Sequence, residues 1–229
     1  MEDIRRMWST SEPLFVELVP EQRGCFIVNG VRGFMMKSDM ELLDLFTRML
    51  PNGATVVEVG SFEGLSTLVM ARSAHINGIN VKIHAVDPFL GNIEHQKDDA
   101  VIRGELYDNF KANVAASGLA SMIIPRRMPS VAAAATFKDA SVDMIYVDGD
   151  HTLQGCFADL TAWVRVLKPG GVFLGHDFLH RDGVALAVDK FMSETGDRWC
   201  VTMLNSHPMG GNMYVIHPKG EFLKKIYGV

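Results

Sequence analysis

The sequence predicts an α/β fold, in which a mostly parallel sheet lies between two layers of helices. Short apolar segments typical of buried strands alternate with helical segments along most of the 229 residues, and the connections are short. Residues 56–67 have the pattern of a buried strand, a tight glycine turn and the start of a helix. The last two predicted strands have no helix between them, which permits one antiparallel strand at an edge of the sheet.

Seven strands are predicted from short apolar segments that are rich in β-branched residues. They lie at residues 56–59, 81–86, 121–124, 142–147, 172–175, 201–204 and 213–216. A helical segment follows each of the first five strands, which should therefore be parallel to one another, with their carboxyl ends at one edge of the sheet.

Six helices are predicted from apolar residues at helical spacing. They lie at residues 38–50, 64–75, 105–116, 130–137, 153–167 and 184–192. The first begins with the capping-box pattern Ser38-Asp39-Met40-Glu41 and ends before Pro51. Later helices end at Asn77-Gly78, at Ser117-Gly118 and at residues 168–171, which contain a proline and two glycines.

Two segments each allow more than one role. We divide the chain into an N-terminal extension, residues 1–37, and a main domain, residues 38–229. Within the extension, residues 25–28 and 31–35 flank an Asn-Gly turn and predict a hairpin. The extension could cover a pocket, form a homodimer contact or simply pack on the domain. Residues 90–103 are polar and predict a loop, either a lid on the substrate side of a site or a solvated surface loop.

Composition and charge argue against several classes of partner. The formal net charge is −5 and no basic cluster is present, so we expect no nucleic acid partner. No apolar stretch approaches the length of a membrane span, and the first residues lack the apolar core of a signal peptide. The widely spaced cysteines Cys25, Cys156 and Cys200 form neither a disulfide framework nor a zinc pattern. We therefore expect a cytoplasmic protein.

The glycine turn predicts a nucleotide site of a particular kind. A helix that begins after a tight turn presents free backbone N–H groups, and Asp87 at the end of the next strand can accept both hydroxyls of a ribose. Phe62 stands where a dinucleotide pyrophosphate would need a glycine, and Glu58 places an acid just before the turn. Both features favour a ligand with a ribose, no phosphate and a positive charge, and S-adenosylmethionine (SAM) meets these conditions. Phe62 thus argues against a dehydrogenase.

The segment from Glu58 to Thr67 resembles motif I of class I SAM-dependent methyltransferases, in the variant E-x-G-x-x-x-G-x-S/T. This resemblance implies a Rossmann-like sheet with strand order 3-2-1-4-5-7-6. It also implies contacts around the methionine moiety, on the ribose and along the adenine. The residues that we expect to contact SAM are Glu58, Gly60, Ser61, Gly64, Ser66, Asp87, Phe89, Met128, Ser130 and Asp148.

Ionisable residues follow the fourth and fifth predicted strands. Asp148, Asp150 and His151 come after the fourth strand, and His176 and Asp177 come after the fifth. Because neighbouring parallel strands end at one edge, these groups should converge. Two carboxylates and an imidazole at one place favour a divalent cation, which leaves His151 free to act as a general base. Asp150 could instead be a turn residue beside Gly149.

The pattern Asp148-Gly149-Asp150-His151, followed by residues 167–171 and by His176-Asp177-Phe178, resembles methyltransferase family 24. That group is similar to metal-dependent sugar and macrolide O-methyltransferases. The resemblance implies that Asp148, Asp177 and the position of His176 bind Mg²⁺, and that His151 is the base.

One position departs from the pattern of those relatives. His176 replaces the first acid of the pair after the fifth strand. Imidazole is a poor ligand for Mg²⁺ and a better one for Mn²⁺, Fe²⁺ or Zn²⁺. The metal could therefore be Mg²⁺ or Mn²⁺, it could be weakly held, or there could be none. Without a metal, His151 and His176 would carry out the acid–base chemistry, with Asp148 beside them. His176 could also merely form a hydrogen bond with a neighbouring carboxylate.

The sequence thus predicts a SAM-dependent O-methyltransferase that acts on a hydroxyl of a sugar or small natural product. The enzymatic alternative is a metal-independent N-methyltransferase that acts on a small amine or peptide. A non-catalytic nucleotide-binding protein is the alternative of another class. The ionisable residues after the fourth and fifth strands argue against it.

Overall fold

A small antiparallel sheet precedes the main domain in the computed structural model. The structure describes residues 8–14, 16–18, 25–179, 181–204 and 213–219. The small sheet contains β1 (Val16–Leu18), β2 (Phe26–Val28) and β3 (Val31–Gly33) in that order. β2 and β3 form the predicted hairpin, in which Val28 pairs with Val31. The parts of the extension and of the main domain at residues 1–7 and 220–229 lie outside the described residues.

Seven strands of the described chain form the main sheet. They are β4 (Ala54–Val59), β5 (Val81–Val86), β6 (Ile123–Arg126), β7 (Val142–Val147), β8 (Leu167–Gly175), β9 (Trp199–Met203) and β10 (Tyr214–Pro218). Their spatial order is β6-β5-β4-β7-β8-β10-β9. The first five in this order pair in parallel, while β10 runs antiparallel to both β8 and β9. Counted along the main domain, this is the order 3-2-1-4-5-7-6, so the predicted fold class is confirmed.

Helices cover both faces of this sheet. They are α1 (Lys37–Arg48), α2 (Leu65–Ile76), α3 (Asp99–Ile102), α4 (Leu106–Ala116), α5 (Ser130–Ala134), α6 (Leu153–Val164) and α7 (Asp182–Thr195). Val56 and Val57 of β4 belong to different apolar cores because successive side chains of a strand point to opposite faces. One core contains Leu68 of α2 and the other contains Trp163 of α6. The central strands are therefore buried on both sides, which explains their continuous apolar runs.

Several predicted boundaries were wrong. α1 begins at Lys37 rather than at Ser38, and the backbone N–H of Met36 donates to Asp39 Oδ2 at 2.9 Å. Asp39, at the third helical position, thus caps the helix. The sequence had predicted this role for Ser38. Residues 90–103 are not an uninterrupted loop, because they include a 3₁₀ turn at Ile93–His95 and the one-turn helix α3.

Helix α6 ends earlier than predicted, and the proline and glycines at residues 168–171 lie within a strand rather than after the helix. α6 ends at Val164, and β8 already begins at Leu167, with an irregular register opposite Val142 and Met144. A bulge of this kind accommodates residues that fit poorly in a regular strand. In the part of the chain that the structure describes, no helix is both long and apolar enough to span a membrane.

Candidate active site

The glycine turn after β4 is held against the end of β7. Gly60 has φ +87°, and a Cβ atom built on it would lie 2.0 Å from the carbonyl oxygen of Asp148. The backbone N–H of Asp148 donates to the carbonyl of Val59 at 2.8 Å. Gly64, with φ +95°, is the N-cap of α2. Gly60 is therefore required both by its backbone conformation and by the close approach of another chain segment.

Asp87 organises this turn from the end of β5. Its Oδ2 accepts hydrogen bonds from the backbone N–H groups of Ser61 at 2.8 Å and Phe62 at 2.9 Å. Its Oδ1 accepts one from the N–H of Phe89 at 2.5 Å. Burial raises the pKa of Asp87 above its usual value. The acid predicted to hold a ribose thus also fixes the turn on which the rest of the nucleotide would lie.

Glu58 is fully buried beneath the turn. Its Oε2 accepts hydrogen bonds from Ser61 Oγ at 2.7 Å and from the hydroxyl of Thr67 in α2. Its Oε1 is buried and has no hydrogen-bond partner among the described residues. Burial raises the pKa of this carboxyl group to about 7. A buried acceptor without a partner next to a glycine turn is the kind of group that a bound ligand or water can satisfy.

Replacement of Glu58 by glutamine should change how stability depends on pH. The pKa of Glu58 rises from 4.5 to about 7 on folding, so the folded state keeps a proton that the unfolded chain releases. This stabilisation is complete below pH 4.5 and is lost as pH rises to about 7. Between those pH values the unfolding free energy of the native protein should fall by about 3 kcal/mol relative to Glu58→Gln. Urea denaturation of both proteins at pH 4.5 and pH 7.5 measures this difference.

The matched control is Glu41→Gln, because the Glu41 side chain is 66% exposed. Its difference from the native protein should be nearly independent of pH. A difference for Glu58→Gln that is equally flat would mean that Glu58 keeps an ordinary pKa in the folded state.

A cavity of about 940 Å³ opens at the carboxyl ends of the parallel strands. This volume suits a nucleotide-sized ligand together with a small second molecule. The predicted site residues that line it are Gly60, Ser61, Ser66, Asp87, Ser130, Asp148, His151, His176 and Asp177. The structure therefore brings most of the predicted site together in one place.

Four predicted cofactor contacts lie elsewhere. Glu58 and Gly64 belong to the support of the turn rather than to the cavity wall. Phe89 is 3% exposed and packs against Tyr107 and Phe110, with ring centroids 4.9 and 5.2 Å away. Met128 packs against the core on the α6 face. The residue after Phe89 lines the cavity instead, because Phe89 has φ +59° and the chain turns there.

Two carboxylates and one imidazole meet on the cavity wall. His151 Nε2 lies 3.2 Å from Asp177 Oδ2 and 3.7 Å from Asp148 Oδ1, but no described residue forms a hydrogen bond with it. His151 Nδ1 lies 3.3 Å from Glu94 Oε1. Burial alone would lower the pKa of His151, but the surrounding carboxylates outweigh burial and raise it.

His176 lies deeper, between three carboxylates. Its Nδ1 is 3.5 Å from both Asp148 Oδ1 and Asp177 Oδ1, and its Nε2 is 3.3 Å from Asp39 Oδ2. His176 is 5% exposed and Asp39 is fully buried. Burial opposes the charged form of His176, but the three carboxylates raise its pKa well above the usual value. A protonated imidazole has no lone pair for a metal, and its charge compensates the buried acids.

The structure supplies a donor set for a divalent metal that differs from the predicted set in one member. Asp148, His151 and Asp177 each offer one ligand atom, and these atoms lie within 4.8 Å of one another. His176 is not part of this group. Two carboxylate oxygens and one imidazole nitrogen fit Mn²⁺ or a similar ion. Because Nε2 of His151 forms no hydrogen bond with a described residue, it could either bind such an ion or take a proton.

Asp39 and Glu94 are site residues that the sequence reasoning missed. Asp39 was noted only as part of a capping pattern, and it lies 137 positions from the histidine that it contacts. Glu94 belongs to the polar segment 90–103, for which only a loop was predicted, yet it lies between His151 and Arg181, whose Nε is 3.8 Å away. No local pattern marks either residue, because each acts through a contact made by folding.

The hairpin and residues 90–98 close one side of the cavity. Phe34 stacks on His95 at 4.9 Å, and Phe62 of the glycine turn lies 5.3 Å from the same ring. Arg32 of β3 forms ion pairs with Asp98 and with Glu63, which follows Phe62. The extension therefore contributes directly to the cavity wall.

Comparison with known proteins gives one family and many similar structures. A family model described as a methyltransferase domain matches residues 57–178. A search of the curated proteins gave no match.

Three similar structures illustrate the likeness of fold. Cofactor-bound Rv0187 from MTB is 15% identical, with 80% of each chain covered and a TM-score of 0.60. The O-methyltransferase from Bacillus cereus in complex with SAH is 16% identical, with 80% of this chain and 81% of that chain covered and a TM-score of 0.58. The O-methyltransferase TomG from Streptomyces achromogenes, involved in tomaymycin synthesis and in complex with SAM, is 17% identical, with coverage of 81% and 82% and a TM-score of 0.58.

Proposed function

Since this chain belongs to the methyltransferase domain family and is a SAM-dependent methyltransferase, we propose that it methylates a hydroxyl of a sugar or small natural product. The observation that carries the proposal is the position of His151. Its imidazole lies on the wall of the same cavity as the glycine turn, and its Nε2 has no hydrogen-bond partner among the described residues. Two of the similar structures are described as O-methyltransferases, which supports an oxygen acceptor.

The proposed nucleotide position follows from the glycine turn. SAM supplies an electrophilic methyl group on a sulfonium ion. Asp87 would accept the ribose hydroxyls in addition to the backbone groups that it already binds. Ser61 and Ser66 line the cavity where the methionine moiety would lie, and the free Oε1 of Glu58 lies just beneath them. A negative charge under the turn would favour a positively charged ligand.

We assign the role of general base to His151. Its Nε2 would take the proton of the acceptor hydroxyl while the oxygen attacks the methyl group. Glu94 holds Nδ1 from the other side and so fixes the orientation of the ring. The carboxylates that raise the pKa of His151 would stabilise the imidazolium that forms when it takes the proton. The rest of the catalysis would be alignment of the two reacting groups.

A divalent metal would be held by Asp148 and Asp177, and it would polarise the acceptor hydroxyl and lower its pKa. His176 would not be a ligand in this arrangement. Its charge would keep the two carboxylates in place from behind, with Asp39 on its far side.

Calorimetric titration with S-adenosylhomocysteine (SAH) tests the proposed function. We expect the native protein to bind SAH and Asp87→Ala to bind it about 100-fold more weakly or worse. The reason is that this change removes two charged hydrogen bonds to the ribose as well as the support of the turn. The matched control is Asp108→Ala, an acid whose side chain is 75% exposed and whose partner is Lys111.

No heat of binding in well-folded native protein would contradict the proposal as a whole. Equal affinity of the native protein and Asp87→Ala would contradict the ribose assignment.

A further inference from the structure

Asp159 is a buried acid of the cavity wall that the proposed chemistry does not use. It lies on α6 and is 4% exposed. Gly155 and Ala158 line the cavity from the same helix, so this face of α6 points into the cavity. The hydroxyl of Ser130 lies near the Asp159 carboxylate, and burial raises the pKa of Asp159 to about 6. A buried carboxylate has room for about four hydrogen bonds, so most of its capacity is unused.

The hydrogen bonding of Ser130 supports the view that the Asp159 carboxylate is in place as an acceptor before a ligand binds. Its Oγ accepts a hydrogen bond from Trp163 Nε1 at 2.8 Å, which leaves its own hydrogen free to point to Asp159. Trp163 is fully buried in the core on this face. Trp163 thus fixes Ser130 from the core, and Ser130 lies near a carboxylate of the cavity wall.

Several apolar residues line the cavity on the strands and segments that lead to Asp159. They are Val59 and Val86 at the ends of β4 and β5, Pro129 and Val131 on either side of Ser130, and Ala158 next to Asp159 on α6. The backbone of Gly149 lies between Val59 and Asp159, since a Cβ atom there would be 3.1 Å from the valine side chain and 3.3 Å from the Asp159 carboxylate. Apolar walls with one hydrogen-bond acceptor suit a flat heterocycle that carries an N–H donor.

The position of this slot relative to Asp87 identifies the heterocycle. Val86 lines the cavity at the end of β5, and Asp87 is the next residue of the chain. If Asp87 holds the ribose, as the proposed function requires, the base attached to that ribose enters the slot next to Val86. We propose that Asp159 accepts a hydrogen bond from the exocyclic amino group of adenine and so selects adenosyl ligands.

The test compares SAH with its analogue in which hydrogen replaces the 6-amino group of the base. Calorimetry on the native protein should give an affinity for SAH at least about tenfold higher, because a hydrogen bond to a charged acceptor is lost with the analogue. In Asp159→Ala this preference should fall to about twofold or less. The matched control is Asp150→Ala, which removes another acid of the cavity wall and should keep the preference of the native protein.

Equal affinity of the native protein for the two ligands would overturn the proposal without any variant. A preference that survives in Asp159→Ala would overturn it as well. Failure of the native protein to bind either ligand would overturn the proposed function and this inference with it. Binding of SAH without discrimination would overturn the inference alone.

Discussion

Glutamine in place of His151 is expected to lower kcat by about 10²- to 10⁴-fold and to leave the affinity for SAH nearly unchanged. The Nε2 of this imidazole lies on the cavity wall next to two carboxylates and forms no hydrogen bond with a described residue, while the proposed nucleotide contacts involve other residues. Glutamine has a similar size and keeps a polar contact with Glu94, so the wall should persist. Transfer of labelled methyl from SAM to an acceptor found by screening sugars and phenolic natural products measures kcat, and calorimetry measures the affinity.

His75→Gln is the matched control, because His75 is exposed in the last turn of α2. It should turn over like the native protein. Full activity of His151→Gln would show that the assignment of the base is wrong, and loss of SAH affinity in step with activity would show that His151 binds the nucleotide instead.

Removal and addition of metal distinguish the two roles that the geometry allows for His151, which are general base and metal ligand. EDTA should lower the activity of the native protein, and added Mn²⁺ or Mg²⁺ should restore it, because the ion neutralises charge at the reacting oxygen. The activity of His151→Gln should stay low at any Mn²⁺ concentration. Restoration of the variant by high Mn²⁺ would identify His151 as a ligand, and activity unaffected by EDTA would contradict the metal proposal while leaving the base in place.

The fold could be predicted well because its signals are local. A continuous β-branched strand, a turn with glycines and a helix each depend on near neighbours, and the alternation of such units fixes a parallel sheet. The convergence of Asp148, His151 and Asp177 was also predictable, because it follows from the rule that parallel strands end at one edge.

The remaining features could not be predicted because they depend on distant contacts or on backbone direction. In the sequence, Asp39 can be identified only as a helix cap. Its contact with His176, which follows β8, forms only in the folded chain. His176 was considered as a ligand from its position beside Asp177, but it lies among three carboxylates, which favour its charged form. Phe89 was assigned to the adenine from its place after β5, but a positive φ turns its ring into the core.

Alanine at Gly60 should lower the free energy of unfolding by about 4 kcal/mol or more and abolish nucleotide binding. A side chain in the left-handed region costs about 1–3 kcal/mol. The added Cβ would also lie 2.0 Å from the carbonyl oxygen and 2.6 Å from the carbonyl carbon of Asp148, and backbone atoms cannot move aside cheaply. Relief of this clash would push the end of β4 away from the end of β7, and that would separate the nucleotide turn from Asp148. Urea denaturation and SAH calorimetry measure the two effects.

Gly53→Ala separates the two causes, because Gly53 has a similar backbone conformation, with φ +81°, but no atom within 4 Å of the added Cβ. Gly53→Ala has only the cost of the backbone conformation, so its free energy of unfolding should fall by about 1 kcal/mol. Its SAH affinity should match that of the native protein. The difference between the two variants therefore measures the close approach of β4 and β7 at the site. If Gly60→Ala were no less stable than Gly53→Ala, or if it bound SAH normally, the turn would have room for a side chain. The packing of Gly60 against Asp148 would then not be what holds the nucleotide turn in place.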